Sequence, residues 1–150
     1  MSVEATPTAT LSQDEAFARI RLLRSPHVGP VSFRQLMRRF GSATAALEAL
    51  PDLAAKGGGK YRAAPRDRVE AEVAAVRRAG ARYLFHDSPD YPPLLTEIDS
   101  APPVLTVRGD AGLGAKPCIA MVGARNASAA AMRLARDMAG ELAGEGFTVV

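Results

Sequence analysis

The chain has 150 residues, 47% of them hydrophobic, with one cysteine and a net charge of +3 at pH 7. This length allows one or two domains, the single cysteine rules out a disulfide framework, and no apolar run approaches the ~20 residues of a membrane span. The charge is uneven: residues 1–80 hold 13 Lys/Arg against 8 Asp/Glu, and residues 81–150 hold 6 against 8. A cytoplasmic protein without a membrane partner fits these values, and the basic half is compatible with nucleic acid.

Residues 1–10 are polar, carry a proline and show no periodicity. They predict a disordered tail, without the basic start and apolar core of a signal peptide. A helical domain is expected over residues 11–60. Ser12-Gln13-Asp14-Glu15 predicts a capping box that opens the first helix, with Phe17, Ile20 and Leu23 on its buried face. Ser25-Pro26-His27 ends that helix. The turn Val28-Gly29-Pro30-Val31 then feeds a second helix, with Val31, Phe33, Leu36, Met37 and Phe40 inside. Gly41 closes it, and Ser42 caps a third helix that carries Ala46, Leu47 and Leu50 and stops before Pro51. Lys56-Gly57-Gly58-Gly59-Lys60 is a breaker and marks the domain boundary.

The helical start supports two readings. A helix, a Val-Gly-Pro turn and a helix resemble a helix-hairpin-helix, which offers turn amides to nucleic-acid phosphates. Gly29, Arg34 and Arg38 would then form a secondary DNA contact, with Arg39 beside them. The plainer reading is a small interaction domain with solvated arginines, because the turn has one glycine where nucleic-acid hairpins usually show two.

Residues 61–150 predict the start of a Rossmann-like parallel-sheet domain that continues past Val150. A helix from about Pro65 to Ala79 carries Val69, Val73 and Val76 and ends at Gly80; Tyr83-Leu84-Phe85 predicts a strand. Residues 86–110 form a pinned connector, whose prolines fix φ and withdraw donors, so neither ordinary helix nor central strand is expected there. Val104 to Val107 fits a short edge strand. Asp87, Asp90 and Asp99 read as turn chemistry, and His27 and His86 lack the companions of a metal site.

The chemistry concentrates at the C-terminal end. Cys118-Ile119-Ala120-Met121-Val122 predicts a strand with a buried, inert thiol. It is followed by the turn Gly123-Ala124-Arg125-Asn126-Ala127-Ser128 and a helix with Met132, Ala135, Met138 or Ala139 and Leu142 on one face. Gly146 ends the helix, and Phe147-Thr148-Val149-Val150 predicts a second, parallel strand. Gly123 leaves room for a close ligand, the first helical amides lack intrahelical partners, and Arg125 adds a fork-shaped cation. These features point to a phosphate-bearing ligand. No nucleophile–base pair or metal cage is visible, and no enzymatic activity is expected.

Tyr91-Pro92, Leu94-Leu95, Ile98-Asp99, Pro102-Pro103-Val104-Leu105 and Gly109, followed by Ile119 to Arg125 and Ser128, resemble the DNA-processing protein A family (DprA, also called Smf). Val28-Gly29-Pro30, Leu36, Phe40-Gly41 and Ala46-Leu47 are similar to that family's sterile-alpha-motif-like (SAM-like) N-terminal domain. The resemblance runs from about residue 15 to the last residue. It implies a cytoplasmic bacterial protein that binds single-stranded DNA in natural transformation, protects incoming strands and helps load the RecA recombinase. It also implies a Rossmann-like homodimer, paired through the region beyond residue 150, with no nucleotide cofactor. By motif match, Gly123, Ala124, Arg125 and Ser128 would hold DNA phosphate. Ala129-Ala130-Ala131 departs from the family, which carries an aromatic and then a glycine there, so a stacking role is lost. The same turn is also similar to nucleoside-monophosphate phosphoribohydrolases of the lysine-decarboxylase-like group, in which it binds a nucleotide phosphate in an enzyme. The proline-bearing connector and the helical start favour DprA.

Overall fold

The computed structural model describes residues 11–56 and 58–150, so the tail expected over residues 1–10 lies outside the described residues. Two compact units are present: one comprises the residues up to Gly80 with Pro102–Val104, the other Ala81–Ala101 with Leu105–Val150.

In the first unit, α1 (Gln13–Leu23) starts where the Ser12 hydroxyl accepts from the Glu15 amide at 3.2 Å. Only that half of the expected capping box forms. The Glu15 carboxylate turns instead to α3 (Ala43–Lys56), accepting from the Ala43 amide at 2.7 Å and from the Thr44 amide and hydroxyl at 3.2 and 3.0 Å. A helix N-terminus needs an acceptor for its free amides, and here another helix supplies it. Ala18 and Leu22 of α1 join Phe33, Ala43 and Ala46 in the core, with Leu23 packed alongside. The expected Phe17-Ile20-Leu23 face is thus rotated. Ile20 is buried, whereas Phe17 is half-buried with the Arg66 guanidinium 4.8 Å from its ring.

The turn to α2 (Pro30–Phe40) holds His27 at φ 61°, the left-handed region that non-glycine residues rarely occupy. Gly29 caps α2 and Pro30 opens it, a position where its missing N–H costs nothing. Phe33 is buried, and Leu36, Met37 and Phe40 pack on the core as expected, but Val31 stays 53% exposed. Gly41, at φ 77°, ends α2 with its amide on the Met37 carbonyl at 2.8 Å.

The third helix passes through Pro51 rather than stopping there. One proline removes one donor; Leu53 and Ala54 are half-buried beyond it, and the helix stops at the glycines. The amides of Gly58 and Gly59 return to the Ala55 and Ala54 carbonyls at 3.0 and 2.9 Å. The unit does not end at this breaker. The helix α4 (Arg66–Arg78) and the segment leading into it are tied by three links to α1 and the two residues that follow it. Arg21 Nε donates to the Ala64 carbonyl at 2.9 Å, the Ala64 amide donates to the buried Ser25 hydroxyl at 3.0 Å, and Arg24 grips Glu72 through two nitrogens.

The strand β1 (Arg82–Phe85) pairs with β2 (Val104–Val107), which belongs to the second unit from Leu105 on, and Leu84 and Phe85 are buried. The connector contains one helical turn, α5 (Pro93–Thr96), where none was expected; prolines suit a first turn. A 3-10 turn follows at Ala111–Ala115, capped by Asp110 accepting from the Gly112 amide at 2.8 Å. Gly114 packs on Pro92 so closely that an added Cβ would lie 3.1 Å from Pro92 Cγ. The Thr148 hydroxyl donates to the Leu113 carbonyl at 2.8 Å.

The strands β3 (Cys118–Ile119) and β4 (Thr148–Val149) pair in parallel, Cys118 opposite Thr148 and Ile119 opposite Val149. Between them runs α6 (Ala129–Gly144). Gly146, at φ 90°, terminates it: its amide reaches the Ala143 carbonyl and the Phe147 amide reaches that of Leu142, both at 3.1 Å. The molecule is therefore mixed α/β, a helical domain followed by the strand–helix–strand start of a Rossmann-like domain. The expected apolar face of α6 is only partly covered. Ala139 and Leu142 are half-buried, while Met132 and Met138 are 53% and 46% exposed, because two short strands shield only part of the helix. Cys118 is half-buried rather than buried, its thiol donating to the Lys116 carbonyl at 3.2 Å.

Candidate functional site

The turn after β3 is built by strand pairing on one side and helix capping on the other. Backbone bonds continue the parallel ladder past β3, from the Met121 amide to the Val150 carbonyl at 2.8 Å. Beyond Met121 pairing stops. Val122 to Asn126 are exposed, and the chain bends at Arg125 and Asn126 rather than at Gly123. Gly123 does not adopt a left-handed φ, and an added Cβ there would meet nothing within 4 Å. Neither backbone conformation nor neighbouring atoms in the described residues demand glycine at this position. What the glycine leaves is open space for an approaching ligand.

Ser128 caps α6, its hydroxyl accepting from the Ala131 amide at 3.2 Å. A hydroxyl has one proton and two lone pairs, so this cap leaves the Ser128 O–H able to donate. The Met132 amide begins the intrahelical series on the Ser128 carbonyl, and among the described residues the Ala129 and Ala130 amides have no partner. Arg125 is exposed and likewise makes no ion pair among the described residues. The turn thus brings together the four predicted residues Gly123, Ala124, Arg125 and Ser128. It offers one guanidinium, one hydroxyl and two amides, all donors, to an oxyanion.

The other predicted set lies in the helical unit. Gly29 is the α2 N-cap without a side-chain hydrogen bond, and among the described residues the Val31 and Ser32 amides have no partner. Arg34 is half-buried, and Arg38 and Arg39 are exposed. Arg39 lies 5.3 Å from the Phe40 ring centroid. Of the acidic residues weighed in the connector, Asp90 is taken by Arg82 at 2.9 Å. Among the described residues no three His, Cys, Asp or Glu side chains gather as metal ligands would.

Sequence reading missed Tyr61, Arg62 and Arg68, which line clefts on the helical unit. The Lys60-Tyr61-Arg62 triplet, an aromatic between two cations, was a signal for them.

The structure thus combines a helical unit containing a Val-Gly-Pro turn with an α/β segment, joined to it in sequence, whose strand–turn–helix leaves hydrogen-bond donors exposed. A family model described as the DprA-like N-terminal HHH domain matches residues 13–75. A second, described as DNA recombination-mediator protein A, matches residues 82–150. The chain belongs to the DNA recombination-mediator protein A (DprA) family. No curated protein matches it significantly. Among the described residues no helix is long and apolar enough to cross a membrane.

Proposed function

We propose that this protein binds single-stranded DNA in the cytoplasm, protects it during natural transformation and helps load the RecA recombinase, acting as a homodimer and not as an enzyme. The observation that carries this reading is the exposed turn with Arg125 uncompensated and the Ala129 and Ala130 amides free, within the segment matched by the recombination-mediator family. Gly123 and Ala124 let the sugar–phosphate chain approach, Arg125 supplies the charge, and Ser128 donates while holding the helix start. Every donor in the turn suits phosphate, the part of the strand that is the same for every sequence, which fits sequence-independent binding. Gly29, Arg34 and Arg38 form a secondary DNA contact in this reading.

The test is anisotropy of labelled oligo-dT titrated against salt, with AMP as competitor. Binding that is steep in salt and resists AMP supports the proposal. Arg125→Ala is expected to weaken binding about equally across sequences and to flatten the log–log salt slope by about 0.7, one single-strand phosphate contact. Displacement by AMP would move the turn to the mononucleotide-binding, phosphoribohydrolase reading. An unchanged affinity and slope in Arg125→Ala would remove Arg125 from the site.

A further inference from the structure

We infer that the helical unit carries its own single-stranded nucleic-acid track, running through two adjoining clefts on either side of Tyr61 and Pro26. The choice of ligand rests on the single-stranded DNA reading above, but the residues are different ones. The first cleft, about 340 Å³, lies between the end of α1 and the start of α4. Arg24, Arg62 and Arg68 line it, with Glu72 as the one acidic residue in its lining. Glu72 is consumed by Arg24, which holds both its carboxylate oxygens at 2.8–3.2 Å. Arg62 and Arg68 are exposed and make no ion pair among the described residues. The cleft therefore has a surplus of two cations. Its floor includes Pro65, the cap of α4, which provides no side-chain acceptor, so the positive helix end adds to the field. Asp67 in the first turn opposes it in part.

The second cleft, about 290 Å³, is lined by His27, Arg39 and Tyr61 among others, and Pro26 borders both. The Tyr61 hydroxyl donates to the Pro26 carbonyl at 2.9 Å, fixing the aromatic ring at the junction. Along the path the order is cation, aromatic, cation: Arg39 and Tyr61 line the second cleft, and Arg62 and Arg68 the first. A chain of phosphates alternating with flat bases matches that order, because every base has a face to stack and every phosphate a charge to neutralise. A base stacked on Tyr61 must be unpaired, which selects a single strand over a duplex.

The experiment uses the full chain and labelled oligo-dT. Arg62→Ser combined with Arg68→Ser is expected to lower the log–log salt slope by about 1.4, two single-strand contacts, while the thermal melt is unchanged because both side chains are exposed. Photocrosslinking with iodo-deoxyuridine in the oligonucleotide should recover the peptide that contains Tyr61, and Tyr61→Phe, which keeps the ring, should preserve the crosslink. Arg125→Ala is measured in parallel. If it weakens binding while the Arg62/Arg68 variant binds as the wild type does, the track is wrong and the turn at Arg125 stands. If the Arg62/Arg68 variant loses slope while Arg125→Ala has no effect, the track stands and the turn falls. An oligo-glutamate probe bound as tightly as oligo-dT, and equally sensitive to Arg62 and Arg68, would overturn the nucleic-acid assignment in favour of an acidic protein segment.

Discussion

Replacing Glu15 by alanine removes a carboxylate that serves a helix other than its own. It holds the Ala43 amide at 2.7 Å, the Thr44 amide and hydroxyl at 3.2 and 3.0 Å, and Arg19 Nε at 3.3 Å. The side chains of Arg19 and Glu15 are only 14% and 16% exposed, so water replaces these contacts poorly. A hydrogen bond to a charged group is worth about 1.5–3 kcal/mol net and a helix cap about 0.5–2 kcal/mol. These overlap at one site, which sets the expected loss at ~2 kcal/mol for Glu15→Ala. Glu15→Gln keeps an acceptor and loses the charge, for ~1 kcal/mol. For a unit of this size the melting temperature falls about 4–8 °C per kcal/mol, so alanine should cost ~8–16 °C and glutamine about half that.

The pH dependence separates the charge from the shape. Burial alone would raise the Glu15 pKa, but the hydrogen bonds from Ala43, Thr44 and Arg19 outweigh it and hold the carboxyl below its ordinary 4.5. The folded value is lower than the unfolded one. Its contribution is therefore fully present above about pH 4.5 and is lost as pH falls through the folded value. Thermal melts followed by far-ultraviolet circular dichroism at neutral and acid pH should show the gap between wild type and Glu15→Gln closing on acidification. A gap that stays constant, or an alanine variant that melts with the wild type, would refute the capping role.

Two further outcomes follow from the same unit. His27→Gly should raise stability by about 0.5–1 kcal/mol in urea unfolding, since glycine accepts the left-handed φ, while His27→Val should lower it by about 1 kcal/mol; shifts in the same direction would contradict the strain argument. Ser25→Ala strips the Ala64 amide of its acceptor in a buried setting and should cost about 1–3 kcal/mol, with faster hydrogen exchange at Ala64. Unchanged exchange there would mean that Arg21 and Arg24 alone hold the segment.

Local signals carried most of the fold. Ser12, Ser42 and Ser128 all cap the helices that follow them, and Gly41 and Gly146 take the left-handed φ at helix ends, because such chemistry needs only neighbours in sequence. Errors arose where a distant partner competed. Glu15 has capping-box spacing, yet the amides at the start of α3 won its carboxylate. The glycine run at residues 57–59 has breaker composition, yet Ser25, Arg21 and Arg24 reach past it and bind the next segment into the same unit. Those same contacts border the cleft lined by Arg62 and Arg68, so beyond the Lys60-Tyr61-Arg62 triplet its lining could not be read locally, whereas the candidates Arg125 and Ser128 lie on one short turn.

At the hairpin a residue count and a backbone angle point in different directions. One glycine in Val28-Gly29-Pro30 weighed against a nucleic-acid hairpin, since a second is usual. Two residues before Gly29, however, His27 already holds φ 61°, the conformation for which glycine is the ordinary choice. The turn therefore has its left-handed step without the second glycine, and the Val31 and Ser32 amides that follow are free among the described residues. What a histidine adds at that position is a ring at the lip of the cleft that Tyr61 and Arg39 line. The strain at His27 and the proposed track thus meet in one residue. His27→Gly, which should stabilise the fold, should also weaken oligo-dT binding if the ring contributes to the track. A variant that gains stability and keeps full affinity would leave the left-handed turn intact and remove His27 from the nucleic-acid path.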